Sequence, residues 1–142
     1  MRTFIKTKHA QPQRGQSLVE LALTLTLILT LLAGAVDLGS AFFSYVAIRD
    51  AAQEGALYGS IFPTGAIESR VRSTSSTPVD LSDVSKVTVS VSAIPPCSGG
   101  EVIVTVKYTY TLIMPLIRAI IGPTITLTAS AKDTILQPSS CP

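Results

Sequence analysis

The chain is poor in the residues from which enzymes build active sites. Its 142 residues include one histidine, His9, and only 14% are charged. Nucleophilic catalysis by a Ser/His/Asp or Cys/His set would therefore depend on His9. The motifs C-x-x-C, H-E-x-x-H and G-x-x-x-x-G-K are absent from the sequence, and its nine acidic residues are scattered. The sequence thus predicts no enzyme, no catalytic, cofactor-binding or metal-ligating residue, no cofactor and no small-molecule substrate.

Acidic residues are missing from the first 19 positions, which hold four basic ones: Arg2, Lys6, Lys8 and Arg14. Removal of residues 1–15 would leave seven basic and nine acidic residues, which changes the formal net charge from +2 to −2. His9 would be lost with the same segment. No basic stripe interleaved with aromatic residues then remains, so we expect no binding to nucleic acid.

A long apolar run follows this basic segment. Residues 18–36 contain a single charged side chain, Glu20. Because the ~30 Å hydrocarbon core of a bilayer needs ~20 apolar residues in a helix, the run predicts a membrane-spanning segment. The basic residues lie before the run and Asp37 follows it, so the positive-inside rule predicts a cytoplasmic N-terminus and an extracytoplasmic C-terminal domain.

Glu20 is a carboxylate within an apolar segment, where a charge is costly unless it has a partner. Cleavage after Gly15 would supply one, because the new amino group on Gln16 would lie one helical turn from Glu20, or within reach of Glu20 on a neighbouring copy. The alternative is that Glu20 is a first-turn residue favoured by the helix dipole at the membrane surface. Both interpretations remain open from the residue alone.

The pattern Gly-Gln-Ser-Leu-Val-Glu at residues 15–20 resembles a prepilin peptidase site of the type IV pilin superfamily. In that superfamily the peptidase cuts after the glycine, and the glutamate is the fifth residue of the mature chain. Together with Ala-Ala-Gln-Glu-Gly-Ala at residues 51–56, the N-terminus resembles the TadE-like pseudopilins of the tight-adherence (Flp) pilus system.

This resemblance implies a processing site at Gly15 and Gln16 and an assembly role for Glu20. It also implies the partners: the membrane, a prepilin peptidase, other pilin-like subunits and pilus assembly proteins. The expected function is that of a minor pilin or pseudopilin in a pilus or secretion machine used for adhesion.

Two alternative fates of the N-terminus compete with this interpretation. One is a secretory signal peptide with Ala-Gly-Ala at residues 33–35 as its cleavage site. The other is an uncleaved single-pass anchor that carries a binding module. Apolar residues continue beyond Ala35 with no proline before Pro63, which favours a helix that is retained.

The pattern predicts one helix over residues 17–58, of which only the first half fits inside a bilayer. We therefore divide the chain into a leader (1–15), a transmembrane helix (16–36), its amphipathic continuation (37–60) and a head domain (61–142). The apolar positions of the continuation predict a stripe that receives a sheet: Leu38, Phe42, Tyr45, Val46, Ala52 and Ala56. Gly59 is interpreted as the C-cap that ends the helix.

The head domain shows strand periodicity. Valines alternate with polar residues from Val87, a second alternating run covers residues 102–110, and a third covers residues 124–132. Short helices are predicted near residues 66–73 and 116–121. The predicted fold class is α+β, pilin-like, with a long N-terminal helix packed against a small antiparallel sheet of three or more strands.

The only cysteines, Cys97 and Cys141, both fall in the predicted extracytoplasmic domain. An even number of cysteines in that compartment permits a disulfide, and a head of ~80 residues is of the size that such bonds often stabilise. The alternative is two unpaired thiols.

Overall fold

The computed structural model describes residues 14–63, 65–94 and 99–136. In chain order the elements are α1 (Arg14–Ile61), α2 (Ile67–Arg72), β1 (Val87–Ile94), β2 (Glu101–Thr111), α3 (Pro115–Ile121) and β3 (Thr124–Thr134). The long helix packs against a three-stranded antiparallel sheet. The predicted α+β class is therefore confirmed.

Helix α1, the stem, is a single helix of 48 residues and ~72 Å in length. No proline interrupts it, and the first proline after it, Pro63, cannot continue a helix. Its apolar half contains three threonines whose hydroxyls donate to the carbonyl four residues earlier, each at 2.8 Å: Thr24, Thr26 and Thr30. Each of these three hydroxyls therefore has a hydrogen-bond partner within the helix, which an apolar environment requires.

The sheet has the order β1-β2-β3, so β2 is its central strand. Val104 of β2 pairs with Val91 of β1 and with Ala131 of β3. The predicted alternation is confirmed on β2, where Val102, Val104 and Val106 are fully buried and face the stem side.

The stem meets the sheet through small residues. Ala51, Ala52 and Ala56 are buried beside the fully buried Ile48 and form the core with the β2 valines. The predicted stripe of larger side chains is wrong at three positions, because Leu38, Phe42 and Tyr45 are 73%, 60% and 39% exposed. A sheet approaches a helix closely only where the helix carries small side chains, so the bulky residues lie on the other faces.

Gly59 does not end the helix, and the C-cap prediction is wrong. Helix α1 continues to Ile61, and a Cβ at Gly59 would lie 2.8 Å from Cδ1 of Ile67 and 2.9 Å from Cγ2 of Val102. Gly59 is therefore a packing position, where the absence of a side chain lets α2 and β2 approach the stem.

Helix α2 holds the far end of the head against the stem. Its Val71 is fully buried, and its Arg70 forms an ion pair with Glu54 of α1. Arg72 donates from its guanidinium to the carbonyl oxygen of Leu81 at 3.0 Å. Both arginines thus have structural partners.

Candidate functional site

The residues of the predicted processing site lie in the first turn of α1. Gly15 is the second residue of the helix, and a Cβ there would meet nothing within 4 Å. Gln16 is exposed as well. The first four N–H groups of a helix have no intrahelical partner, so this turn is held by fewer backbone hydrogen bonds than the helix interior. An accessible, weakly held peptide bond is what a peptidase requires.

Glu20 is exposed on the same helix. Gln16 and Glu20 are four residues apart in an unbroken helix, which places both side chains on one face, ~6 Å apart. The backbone nitrogen of Gln16, which cleavage would convert into the α-amino group, lies one helical turn before Glu20, as the proposed charge pairing requires. Whether the chain is cut after Gly15 and whether Glu20 acts in assembly stay predictions.

Most of the first half of α1 is exposed in the part of the chain that the structure describes. Over the most apolar 18-residue window of this helix, none of the residues is buried. Leu23 and Leu31, for example, are 69% and 66% exposed. By length and composition this helix can cross a membrane. An exposed apolar surface of this extent is stable in lipid or against other helices, and not in water.

At the end of the apolar segment, a buried carboxylate joins the stem to the head. Asp37 is 2% exposed and accepts three hydrogen bonds from the segment that leads from β2 into α3. The Tyr110 hydroxyl donates to Oδ1 at 2.9 Å, and the backbone N–H groups of Ile113 and Met114 donate to Oδ2 at 3.1 Å each. These bonds hold the C-terminal end of β2 at one position on the stem.

The environment shifts the pKa of both side chains of this junction. Burial raises the pKa of Asp37, but the hydrogen bonds from Met114, Ile113 and Tyr110 outweigh burial and leave the pKa below its ordinary value. Burial and the bond to Asp37 raise the pKa of Tyr110. The stable state of the junction is therefore an ionised carboxylate that accepts from a neutral tyrosine.

The sequence does not reveal this junction as a site. Its patterns indicate only that Asp37 is a charge after the apolar run and that residue 110 belongs to a strand. The available signal was an acid between Val36 and Leu38 with no basic residue before Arg49, which is unusual for a surface charge on a helix. Its three donors lie more than 70 residues away in the chain, so only the folded structure reveals them.

An open cleft of about 550 Å³ lies beside the junction. Ser40 and Phe43 of the stem line one side, and Tyr108 and Thr111 of β2 line the other. Within residues 14–63, 65–94 and 99–136, no group of three or more His, Cys, Asp or Glu side chains could hold a metal ion. The cleft thus offers a mainly apolar and aromatic surface.

Cys97 and Cys141 lie outside the described residues, and their pairing stays a prediction. The nearest described segments on the two sides are hydrogen-bonded to each other. The Gly99 N–H donates to the Ile135 carbonyl at 2.9 Å, and the Ile135 N–H donates to the Gly100 carbonyl at 2.8 Å. Cys97 is two residues before this contact and Cys141 is six residues after it.

Comparison with protein families finds one match, over residues 15–57, to the family TadE, described as TadE-like protein. No curated protein and no solved structure matches the chain. The matched region begins at Gly15 and covers Glu20, the apolar half of the stem, Asp37 and most of the face that packs on the sheet. Residues 15–57 are therefore similar to the TadE-like family, in agreement with the resemblance that the sequence motifs indicate.

Proposed function

We propose that this chain is a minor pilin or pseudopilin of the tight-adherence (Tad) pilus system, processed after Gly15 and incorporated through its stem. The TadE-like match indicates involvement in that system. The observation that carries the proposal is the exposed apolar half of α1, which begins at the candidate cleavage site and contains one carboxylate. Such a surface needs lateral partners, and a membrane and neighbouring pilin-like helices both supply them.

The proposed orientation follows from charge. The four basic residues that precede the apolar segment remain in the cytoplasm, and the head follows the stem to the other side. A prepilin peptidase then reaches Gly15 at the cytoplasmic surface. Glycine lets the backbone enter a narrow protease cleft without steric hindrance.

After cleavage, the new α-amino group on Gln16 carries a positive charge beside the carboxylate of Glu20. Within one chain, the i,i+4 spacing permits a contact, and in an assembly the same amino group can reach Glu20 of a neighbour. A paired charge is much less costly in an apolar environment than an isolated one. Assembly is thus coupled to proteolysis, because only the processed chain can neutralise its glutamate.

N-terminal sequencing of the protein extracted from native membranes tests the processing step. Gln16 as the first residue supports the proposal. Val36 as the first residue indicates a secreted protein, and a retained Met1 indicates a simple anchor; either result contradicts the proposal. A Gly15→Leu variant is expected to keep its leader, whereas a Gly39→Ala variant is expected to be processed normally, because Gly39 lies on the same helix outside the cleavage site.

A Glu20→Gln variant tests the charge. It keeps the size of the side chain, so we expect normal membrane insertion and cleavage but loss of incorporation into assemblies. Asp50→Asn is the matched control, because Asp50 is an exposed carboxylate on the same helix outside the apolar half. Unchanged incorporation of Glu20→Gln would show that the carboxylate has no part in assembly.

A further inference from the structure

Strand β2 runs antiparallel to the stem, so its C-terminal end lies close to the apolar segment. Val102, at the start of β2, lies against Gly59, and Tyr110, near its end, binds Asp37. The chain then continues toward the N-terminal half of the stem. A Cβ at Gly34 would lie 3.6 Å from Sδ of Met114 and 4.0 Å from Cδ1 of Ile117.

Gly34 belongs to the segment that we assign to the membrane, residues 16–36. It lies two residues, or ~3 Å along the helix, inside the end of that segment. Helix α3, which contains Ile117, is therefore held at the depth where the apolar segment leaves the hydrocarbon core.

Helix α3 itself has one partly buried residue, Ile117, and Met114 precedes it. Met114 is 9% exposed, and Ile117 packs against the cluster formed by Ala41, Tyr110 and Leu112. The segment is closed at its base, because the N–H of Leu112 donates to the carbonyl of Pro123 at 3.0 Å. The other side chains of α3 are exposed.

Most of the large exposed side chains of this segment are apolar. They form the α3 patch, which consists of Ile113 just before the helix and Leu116, Ile120 and Ile121 within it, exposed by 67%, 55%, 76% and 59%. The only charged residue between positions 112 and 123 is the exposed Arg118. A short helix with large apolar side chains and a single basic residue has the chemistry of a membrane interface, where the apolar residues enter the acyl chains and the guanidinium reaches lipid phosphates.

We propose that α3 is a second membrane contact of this protein: the α3 patch inserts into the outer boundary of the same bilayer that the stem crosses, with Arg118 at the phosphates. The occupant is the lipid surface, because the patch flanks Met114 and Ile117, which contact the stem at Gly34 within the segment assigned to the membrane. This inference rests on the proposed membrane insertion of residues 16–36. It goes beyond that insertion because it gives the head a fixed position on the membrane before assembly.

The chain has no tryptophan, so single tryptophans can report on depth. We would reconstitute the full chain in vesicles of equal parts phosphatidylcholine and phosphatidylglycerol that carry lipids brominated at shallow or deep acyl positions. Three variants are compared: Ile120→Trp in the α3 patch, Leu25→Trp in the stem and Leu136→Trp at the far end of the head. All three positions are largely exposed in the structure, so each change is expected to leave the fold intact.

We expect the Ile120→Trp variant to lose about half of its emission to shallow bromines, since an interfacial helix buries its apolar face ~5–10 Å deep. The Leu25→Trp variant is expected to respond to deep bromines, and the Leu136→Trp variant to neither, because the Leu136 N–H bonds to Ser60 at the opposite end of the stem.

If Leu25→Trp is quenched but Ile120→Trp behaves like Leu136→Trp, the α3 proposal is wrong and stem insertion stands. If Leu25→Trp is not quenched, the stem is outside the bilayer and both proposals fail. A blue-shifted Ile120→Trp emission that no brominated lipid quenches would show that another protein surface, such as a second copy of the chain, covers the patch. That result also overturns the proposal.

Discussion

Two glycines of the stem differ in what surrounds them, and this difference predicts opposite effects of the same substitution. A Cβ at Gly55 would overlap Cγ2 of Val71 and lie 3.2 Å from Cγ1 of Val104. A Cβ at Gly39 would meet nothing within 4 Å. Both valines are fully buried and β-branched, so neither can rotate away easily.

The intrinsic effect of Gly→Ala is the same at both positions, because both lie inside α1. Alanine stabilises a helix interior by about 0.5–1 kcal/mol relative to glycine. At Gly55 the added methyl group also overpacks the core, which costs about 1–3 kcal/mol. The helix term cancels between the two variants, so Gly55→Ala is expected to be less stable than Gly39→Ala by about 1–3 kcal/mol.

The assay is thermal or denaturant unfolding of the full chain in detergent micelles. Near-UV circular dichroism is the probe, because Tyr108 and Tyr110 of the head pack edge to face at 6.4 Å between ring centres. We expect the midpoint of Gly55→Ala to lie below that of Gly39→Ala by about 4 °C or more. Equal midpoints would refute the close contact between the stem, α2 and β2 on which the fold depends.

Two further predictions concern the junction and the cysteines. Asp37→Ala is expected to destabilise the head by about 3 kcal/mol, because hydrogen bonds to a charged group each contribute ~1.5–3 kcal/mol and their losses overlap. Asp50→Ala is the control, because Asp50 is exposed on the same helix. Equal stability of the two variants would contradict the role of Asp37. The pKa of Asp37 is lowered in the folded chain, so the stability that its carboxylate contributes is complete above the ordinary carboxyl pKa of about 3.9. This stability is lost as the pH falls through the folded-state pKa. The unfolding midpoint of Asp37→Asn should therefore depend less on acid pH than that of the unmodified chain. For Cys97 and Cys141, we expect no alkylation of the denatured, unreduced protein. A disulfide between them closes a loop of about 45 residues, so its reduction is expected to lower the free energy of unfolding by ~4 kcal/mol. Alkylation of both thiols without reductant would show that they are unpaired.

The helical stem and the strands could be predicted because their signals are local. An apolar run without proline predicts a helix whatever it packs against, and alternation of valine with polar residues predicts a half-buried strand. The faces of β2 and β3 follow from the same alternation, and the structure agrees with them.

The faces of the stem could not be predicted in the same way. Hydrophobicity favoured Leu38 and Phe42 as the buried side, but the sheet selected the side with alanine and glycine, since packing distance and not apolar character decided the contact. The C-cap prediction for Gly59 is wrong for the same reason. The role of Gly59 depends on Ile67 and Val102, which are adjacent to it only in the folded chain.

The sequence by itself determined the apolar stem, the glycine and glutamate at its start, the family to which the stem is similar and the α+β class. Each of these is a property of neighbouring residues and of their spacing. Only the tertiary structure decided that Asp37 is the acceptor that joins head to stem and that α3 lies beside Gly34. Both depend on contacts between segments more than 70 residues apart, which the chain makes only after the sheet has packed on the helix.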